Sequence, residues 1–239
     1  AIPASDRSAL NSLLSQANAL ADTYVLTGNT AYLDAAVSYG ESIYNSSTAM
    51  PGDYTKAIMR LREGIAGVTK AGYRTGIFQL NTAQALLDSP SSAARSLSAV
   101  AAGKSLTVTE ISGNYGYTKY LDTWGWIDLT KTTGLGQAAH TKVSITAPEI
   151  AYKGQDITIS WSAAKGAAAY TYKVIELAGE PDPTSTNEGA NATVLASEST
   201  TNDLSVTIPA AARTDGKYLK VAVCVEYPAG NAWSTAYIQ

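Results

Sequence analysis

This chain has little of what most site chemistry requires. Of its 239 residues, one is a cysteine and one a histidine, and charged side chains make up 15%. A lone cysteine excludes an internal disulfide framework. His140 lies in a small, polar stretch with no acidic, cysteine or serine neighbour in sequence, and both base catalysis and metal binding need positioned partners. It is expected to be an exposed bystander. Cys224 falls in a run whose alternation turns Val221, Val223 and Val225 inward. The thiol then belongs on the opposite face, with no second histidine to activate it, and is expected to be covered and inert. No glycine-rich phosphate loop, zinc-ligand spacing, calcium loop or nucleophile elbow is present. Glu180, Asp182, Asn187 and Glu188 collect in one loop, but its two prolines and irregular spacing fit a solvated connection better than a cation site.

A strong excess of positive or negative side chains is also missing. The 17 basic and 20 acidic residues leave a net charge of -3, and no Lys/Arg cluster forms, so nucleic acid is not an expected partner. No apolar run approaches the roughly 20 residues that span a bilayer, so no membrane insertion by this segment is expected. The chain opens AIP without an initiator methionine, as a mature secreted protein or a trimmed chain would. Phenylalanine is nearly absent, one against 15 tyrosines. Tyrosine supplies apolar area with an edge that tolerates water, which suits exposed binding surfaces and thin cores. These features together point to an extracellular, cell-surface or cell-wall location.

What is there divides into regions of different period, a multidomain arrangement of α and β parts. Leu10, Leu13, Leu14, Ala17, Leu20 and Ala21 make one helical face, and Leu33, Ala36, Val37, Gly40, Ile43 and Tyr44 repeat its offsets after a stop and cap at Gly28, Asn29 and Thr30. A third stripe, Tyr54, Ile58, Leu61, Ile65 and Val68, opens at Pro51. Residues 1–70 are therefore expected to form an antiparallel three-helix bundle. From residue 71 to 131 the period becomes two, with short strands around 76–80, 106–111, 115–120 and 124–127 and tight turns between them, as in a small barrel. Residues 132–141 are small, polar and aperiodic and read as a linker. Strands recur from 142 to 239, including those near 143–145, 157–161, 169–175, 204–208 and 218–225, in the pattern of a β-sandwich.

Three resemblances follow from these stretches. The stripes over residues 5–69 resemble the FIVAR-type three-helix modules of Gram-positive surface proteins, which implies a module strung between others with no activity of its own. The stretch GKSLTVTEISGN from Gly103 to Asn114, the Tyr120 hairpin and the closing Gly125, Trp126 and Ile127 resemble bacterial Src-homology-3-like domains that target cell walls. That resemblance implies a barrel that commonly binds peptidoglycan or peptides. The family's loop with a basic residue appears here as Leu86, Leu87, Asp88, Ser89 and Pro90, and its hairpin glycine as Asp122. Residues 142–239 resemble a fibronectin type III or related immunoglobulin-like domain, through Trp161, the Tyr170 and Tyr172 strand, and the series Leu219, Val221, Val223 and Val225. Leu219 stands where that family has a tyrosine, and the span 176–201 is long for the fold.

The strongest candidate site is the aromatic cluster Tyr115, Tyr117, Tyr120, Trp124 and Trp126, whose faces could stack on sugar rings or hold peptide side chains. Alternation sets Trp124 and Trp126 on one face unless Gly125 carries a bulge. Packing against a neighbouring module is the competing role for the same rings. Catalytic residues, cofactors and metals are not expected. The expectation is a non-catalytic binding protein that recognises peptidoglycan, another glycan or a peptide. An adhesin or scaffold fragment that binds a cell-surface protein is the alternative. A glycan-active enzyme is the third possibility, and it would need an acid/base pair in a deep cleft.

Overall fold

A computed structural model describes residues 3–137, 140–181 and 192–239. It shows a mixed α and β chain with three helices and antiparallel sheets. In chain order the elements are α1 Ala4–Thr23, β1 Tyr24–Gly28, α2 Thr30–Tyr44, α3 Pro51–Ala66, β2 Val68–Tyr73, β3 Gly76–Leu80, β4 Gln84–Leu87 and β5 Ser96–Val100. Then come β6 Ser105–Ser112, β7 Tyr115–Tyr120, β8 Thr123–Asp128, β9 Thr132–Gly134, β10 Ile145–Thr146 and β11 Ile157–Trp161. The last are β12 Ala169–Glu176, β13 Thr193–Thr201, β14 Ser205–Ile208, β15 Leu219–Tyr227 and β16 Gly230–Ile238.

The chain forms two compact units. The first comprises Ala1–Lys104, Val108–Tyr117 and Trp126–Gln137, the second Ser105–Thr107, Thr118–Gly125 and Ala138–Gln239. Within the first, the helices share one core of Leu10, Leu14, Ala17, Leu33, Ala36, Tyr54, Ala57 and Leu61. Helix α3 starts where the sequence places it. Pro51 occupies its first turn, and the Asp53 carboxylate accepts the Met50 N–H at 2.9 Å, satisfying a donor that a helix start leaves open. The buried stripe of α3 runs through Tyr54, Ala57, Leu61 and Gly64. Ile58 and Ile65 flank it, because Gly64 lets the Leu33 backbone approach to within 3.1 Å of where a Cβ would stand.

Strand β1 directly follows α1 and pairs antiparallel with β2, with Leu26 opposite Lys70 and Gly28 opposite Val68. This hairpin-like ribbon lies inside the region expected to be helical. Helix α1 runs up to Thr23, and the strand character of the next residues depends on partners forty or more positions away. Seven strands form one sheet in the order β5-β4-β8-β7-β6-β3-β9. The segment read as a linker thus begins with a strand, since Phe78, Gln79 and Leu80 pair with Gly134, Thr133 and Thr132. Small polar residues suit that position because the backbone of Thr23 presses against Gly134, where a side chain would not fit.

In the second unit, sheets β10-β11-β14 and β13-β12-β15-β16 enclose a shared core. Ile157, Ile159, Trp161 and Ile208 come from the first sheet, and Tyr170, Tyr172, Val174, Val221, Val223 and Val225 from the second. The β15–β16 pairing runs in register over the whole of β15, and the β12–β15 pairing from Leu219 to Glu226. Val225, Val223 and Val221 thereby face Tyr170, Tyr172 and Val174 in turn, the period-two alternation that puts one face of each strand into the core.

Candidate functional site

Burial along β7 and β8 alternates without interruption. On β7, Gly116, Thr118 and Tyr120 are buried, whereas Tyr115, Tyr117 and Lys119 are half-exposed. On β8, Gly125 and Ile127 are buried, while Trp124 is 38% exposed and Trp126 and Asp128 are half-exposed. The alternation of burial runs unbroken through Gly125, which sets Trp124 and Trp126 on one face of that strand. Gly116 is held to glycine by packing: an added Cβ would sit 2.7 Å from a Val108 methyl and 3.0 Å from Leu129.

Tyr117 and Trp126 form a tilted ring pair with centroids 5.0 Å apart. The indole is thereby oriented by a neighbour, within the range favoured by aromatic pairs. Tyr115 borders a separate small hollow of about 260 Å³ with Gln84, Ser92, Asp128 and Lys131. Its polar groups hold one another. The Asp128 N–H donates to Gln84 Oε1 at 3.0 Å, and the Asp128 carboxylate accepts from the Thr130 N–H at 3.0 Å and the Thr130 hydroxyl at 2.6 Å. Lys131 Nζ lies 3.2 Å from the other carboxylate oxygen. Burial pushes the Asp128 carboxyl up, but the Thr130 hydrogen bonds and the Lys131 charge outweigh it, and the group titrates below the ordinary carboxylate range.

Tyr120 does not join this group. It points to the opposite side of β7, is 9% exposed, and its hydroxyl accepts a 2.7 Å hydrogen bond from Asn202 Nδ2. The period-two count already separates Tyr120 from Tyr115 and Tyr117, since it lies an odd number of residues from both. Neighbouring groups are likewise engaged within the second unit. Lys119 Nζ pairs with Glu226 at 3.5 Å, and the Leu121 N–H donates to the Ala168 carbonyl at 3.1 Å.

His140 is exposed and stacks on the Tyr227 ring at 4.9 Å. Cys224 is 2% exposed, on the face of β15 opposite the three valines. Burial, with a smaller contribution from the Glu226 charge, pushes its thiol up to about 11. The acidic loop lies outside the described residues from Asp182 onward. Among the described residues no group of three or more His, Cys, Asp or Glu side chains could hold a metal ion, and no helix is long and apolar enough to cross a membrane.

Two larger hollows have no counterpart in the sequence reading. One, of about 590 Å³, is bordered by Tyr24, Asp34, Tyr73, Arg74 and Ile111. Its tyrosines lie 5.0 Å apart, brought together by the β1–β2 pairing. Arg74 is anchored through a 2.7 Å hydrogen bond from Nη1 to the Ala21 carbonyl. The other, of about 620 Å³, is bordered by residues of all four strands of the four-stranded sheet, among them Thr171, Ser197, Ala222 and Trp233. Neither could be found from local spacing, because each is assembled across strands distant in sequence. No protein-family model matches this chain, and no curated protein matches it at a significant level.

Proposed function

We propose that this chain is a non-catalytic, secreted or cell-wall-associated binding protein that recognises peptidoglycan, or a related glycan or peptide, through the Tyr117 and Trp126 pair. In this reading the helical region is a FIVAR-like spacer and the seven-stranded sheet is an Src-homology-3-like barrel extended by β4, β5 and β9. The paired sheets of residues 142–239 are a fibronectin type III-like module. The observation that carries it is the half-exposed Tyr117 and Trp126 ring pair on the outward alternation of β7 and β8. The Tyr115 hollow, with its anchored polar groups, supplies hydrogen-bonding capacity in the same unit. Flat rings give apolar contact to sugar C–H faces or peptide side chains at little conformational cost. Trp124, on the same face of β8 as Trp126, is a further contact to test.

The test is sedimentation with purified cell wall. Trp126→Ala and Tyr117→Ala are expected to lower binding about tenfold, Trp124→Ala to lower it less, and Tyr120→Phe to bind as the parent does. Thermal melts of each variant separate lost binding from lost fold. Equal binding by the parent and Trp126→Ala removes the aromatic platform, and no binding by the parent removes the ligand class.

One observation favours a second reading. The Lys119, Tyr120 and Leu121 stretch is spent on internal bonds to Glu226, Asn202 and Ala168. That use of the hairpin end suits a scaffold whose partner is another protein, and capture of a surface protein without any cell-wall affinity would support it.

A further inference from the structure

Strand β1 has an edge that the fold leaves open. It pairs with β2 alone, and the hollow of about 590 Å³ touches Tyr24, Val25 and Leu26 in succession. Neighbouring side chains of a strand point to opposite faces, so a hollow that meets three in a row lies along the strand's edge and not against one face. Thr30 and Asp34, one turn apart on α2, also border it.

The main chain at this edge follows from the bonds that flank it. The Arg74 N–H donates to the Thr23 carbonyl at 3.1 Å, and the Asn29 N–H to the Gly67 carbonyl at 3.0 Å. Bonded and non-bonded positions alternate along an antiparallel pair. Thr23, Val25, Thr27 and Asn29 therefore turn toward β2, and Tyr24 and Leu26 turn their main-chain groups away from it. The bulge between Val25 and Leu26 puts its extra residue, Ala71, on β2, so the count along β1 holds through it. The Tyr24 N–H donates to the Leu20 carbonyl. That leaves the Tyr24 carbonyl and both main-chain groups of Leu26 facing the edge, with no turn or loop bonded to them.

The side chains around the edge suit the end of a peptide. Val25 is 49% exposed, and Ile111 and the Tyr24 and Tyr73 rings add apolar surface. Burial, followed by the hydrogen bond with Tyr24, pushes the Tyr73 phenol up to about 12, so at neutral pH it carries no charge to repel an anion. Arg74 is half-buried, gives Nη1 to the Ala21 carbonyl and makes no ion pair among the described residues. Its remaining N–H groups keep the fork that matches a carboxylate. Asp34 pairs with neither Arg74 nor any other cation among the described residues. The hollow falls within the roughly 300–1,000 Å³ of sites that enclose small ligands. We propose that the open edge of β1 receives an extended peptide with a free C-terminal carboxylate. The peptide runs antiparallel to β1, its main chain bonded to Tyr24 and Leu26, its carboxylate held by Arg74 and its apolar side chains against Val25 and Ile111. This site lies within the first unit and does not rest on the Tyr117 and Trp126 pair.

The experiment is fluorescence anisotropy of the full chain with N-terminally labelled hexapeptides, GSTVT followed by valine, leucine, isoleucine or phenylalanine. At least one is expected to bind the parent, and its C-terminal amide to bind about tenfold more weakly. Arg74→Gln is expected to lose that preference for the acid, a readout that a purely structural role would not move. Val25→Ser, which alters an exposed side chain, is expected to weaken binding severalfold, with Trp126→Ala unchanged. Of two peptides N-methylated at alternate positions, one is expected to bind and the other to fail, because only one set of N–H groups faces β1. Absence of binding by the parent to all four peptides overturns the proposal. So does equal affinity for acid and amide, a preference for the acid that survives in Arg74→Gln, or full binding by both methylated forms. Loss in Trp126→Ala with affinity kept in Arg74→Gln and Val25→Ser overturns it too and assigns the peptide to the Tyr117 and Trp126 pair.

Discussion

The Tyr227 hydroxyl and the backbone of Thr141 are joined in both directions: the hydroxyl donates to the Thr141 carbonyl at 3.0 Å and accepts the Thr141 N–H at 3.2 Å. His140 stacks on the same ring at an interplanar angle of 21°. A buried tyrosine thus fixes the first described residues before β10. Tyr227→Phe keeps the ring contacts and removes these bonds together with the 3.2 Å contact to the Thr141 hydroxyl, so a loss of about 1 kcal/mol is expected. Urea denaturation of the two proteins measures it.

Tyr54 presents the opposite situation. Its ring fills the helical core, fully buried, and its hydroxyl has no hydrogen-bond partner among the described residues. A buried unsatisfied hydroxyl costs about 1–3 kcal/mol. Tyr54→Phe is therefore expected to raise the thermal midpoint, a result that a hidden partner for the hydroxyl would reverse.

Gly116 and Gly113 separate packing from backbone freedom. Alanine at position 116 would drive its methyl against Val108 and Leu129, and overpacking of this kind costs about 1–3 kcal/mol. Gly113 has open space around it, but its φ is +58°, so alanine there costs about 1 kcal/mol through conformation alone. Repacking by Val108→Ala is expected to rescue Gly116→Ala and to leave Gly113→Ala unimproved, as read by thermal melts.

The legible part of this molecule is the part set by local period. Strands β3, β6, β7, β8, β11, β12 and β15 lie where alternation puts them, and Leu10, Leu14, Leu33 and Leu61 are core residues of the helices, as their spacing requires. What escaped was set by distant partners. Strand β1 exists through Val68 to Tyr73, and Thr132 to Gly134 becomes a strand through Phe78 to Leu80. Strand β13 joins the sheet through β12 with two irregularities in register, which blur its alternation. At the candidate site, alternation grouped Trp124 with Trp126 correctly, whereas treating all three tyrosines as one surface ignored the same rule for Tyr120.

Cys224 carries a pH prediction with a definite sign. Its thiol is raised from an ordinary 9.0 to about 11, so the folded chain favours the neutral form. That contribution is full below about pH 9 and is lost as pH rises through 11. Burial raises Tyr170 and Tyr172 as well, and they add in the same direction further up. Stability is expected to fall between pH 9 and 11, less steeply in Cys224→Ala, as measured by urea titrations across that range. At pH 8 a thiol reagent should leave the native protein unmodified and label it once unfolded.

The sealed position of that thiol has a practical side. With the sole sulfhydryl of the polypeptide beneath the β15–β16 face, a cysteine introduced at any exposed site becomes a unique handle for a fluorophore or spin probe. The native residue need not be removed first, and a reporter placed near Trp126 can follow the candidate surface.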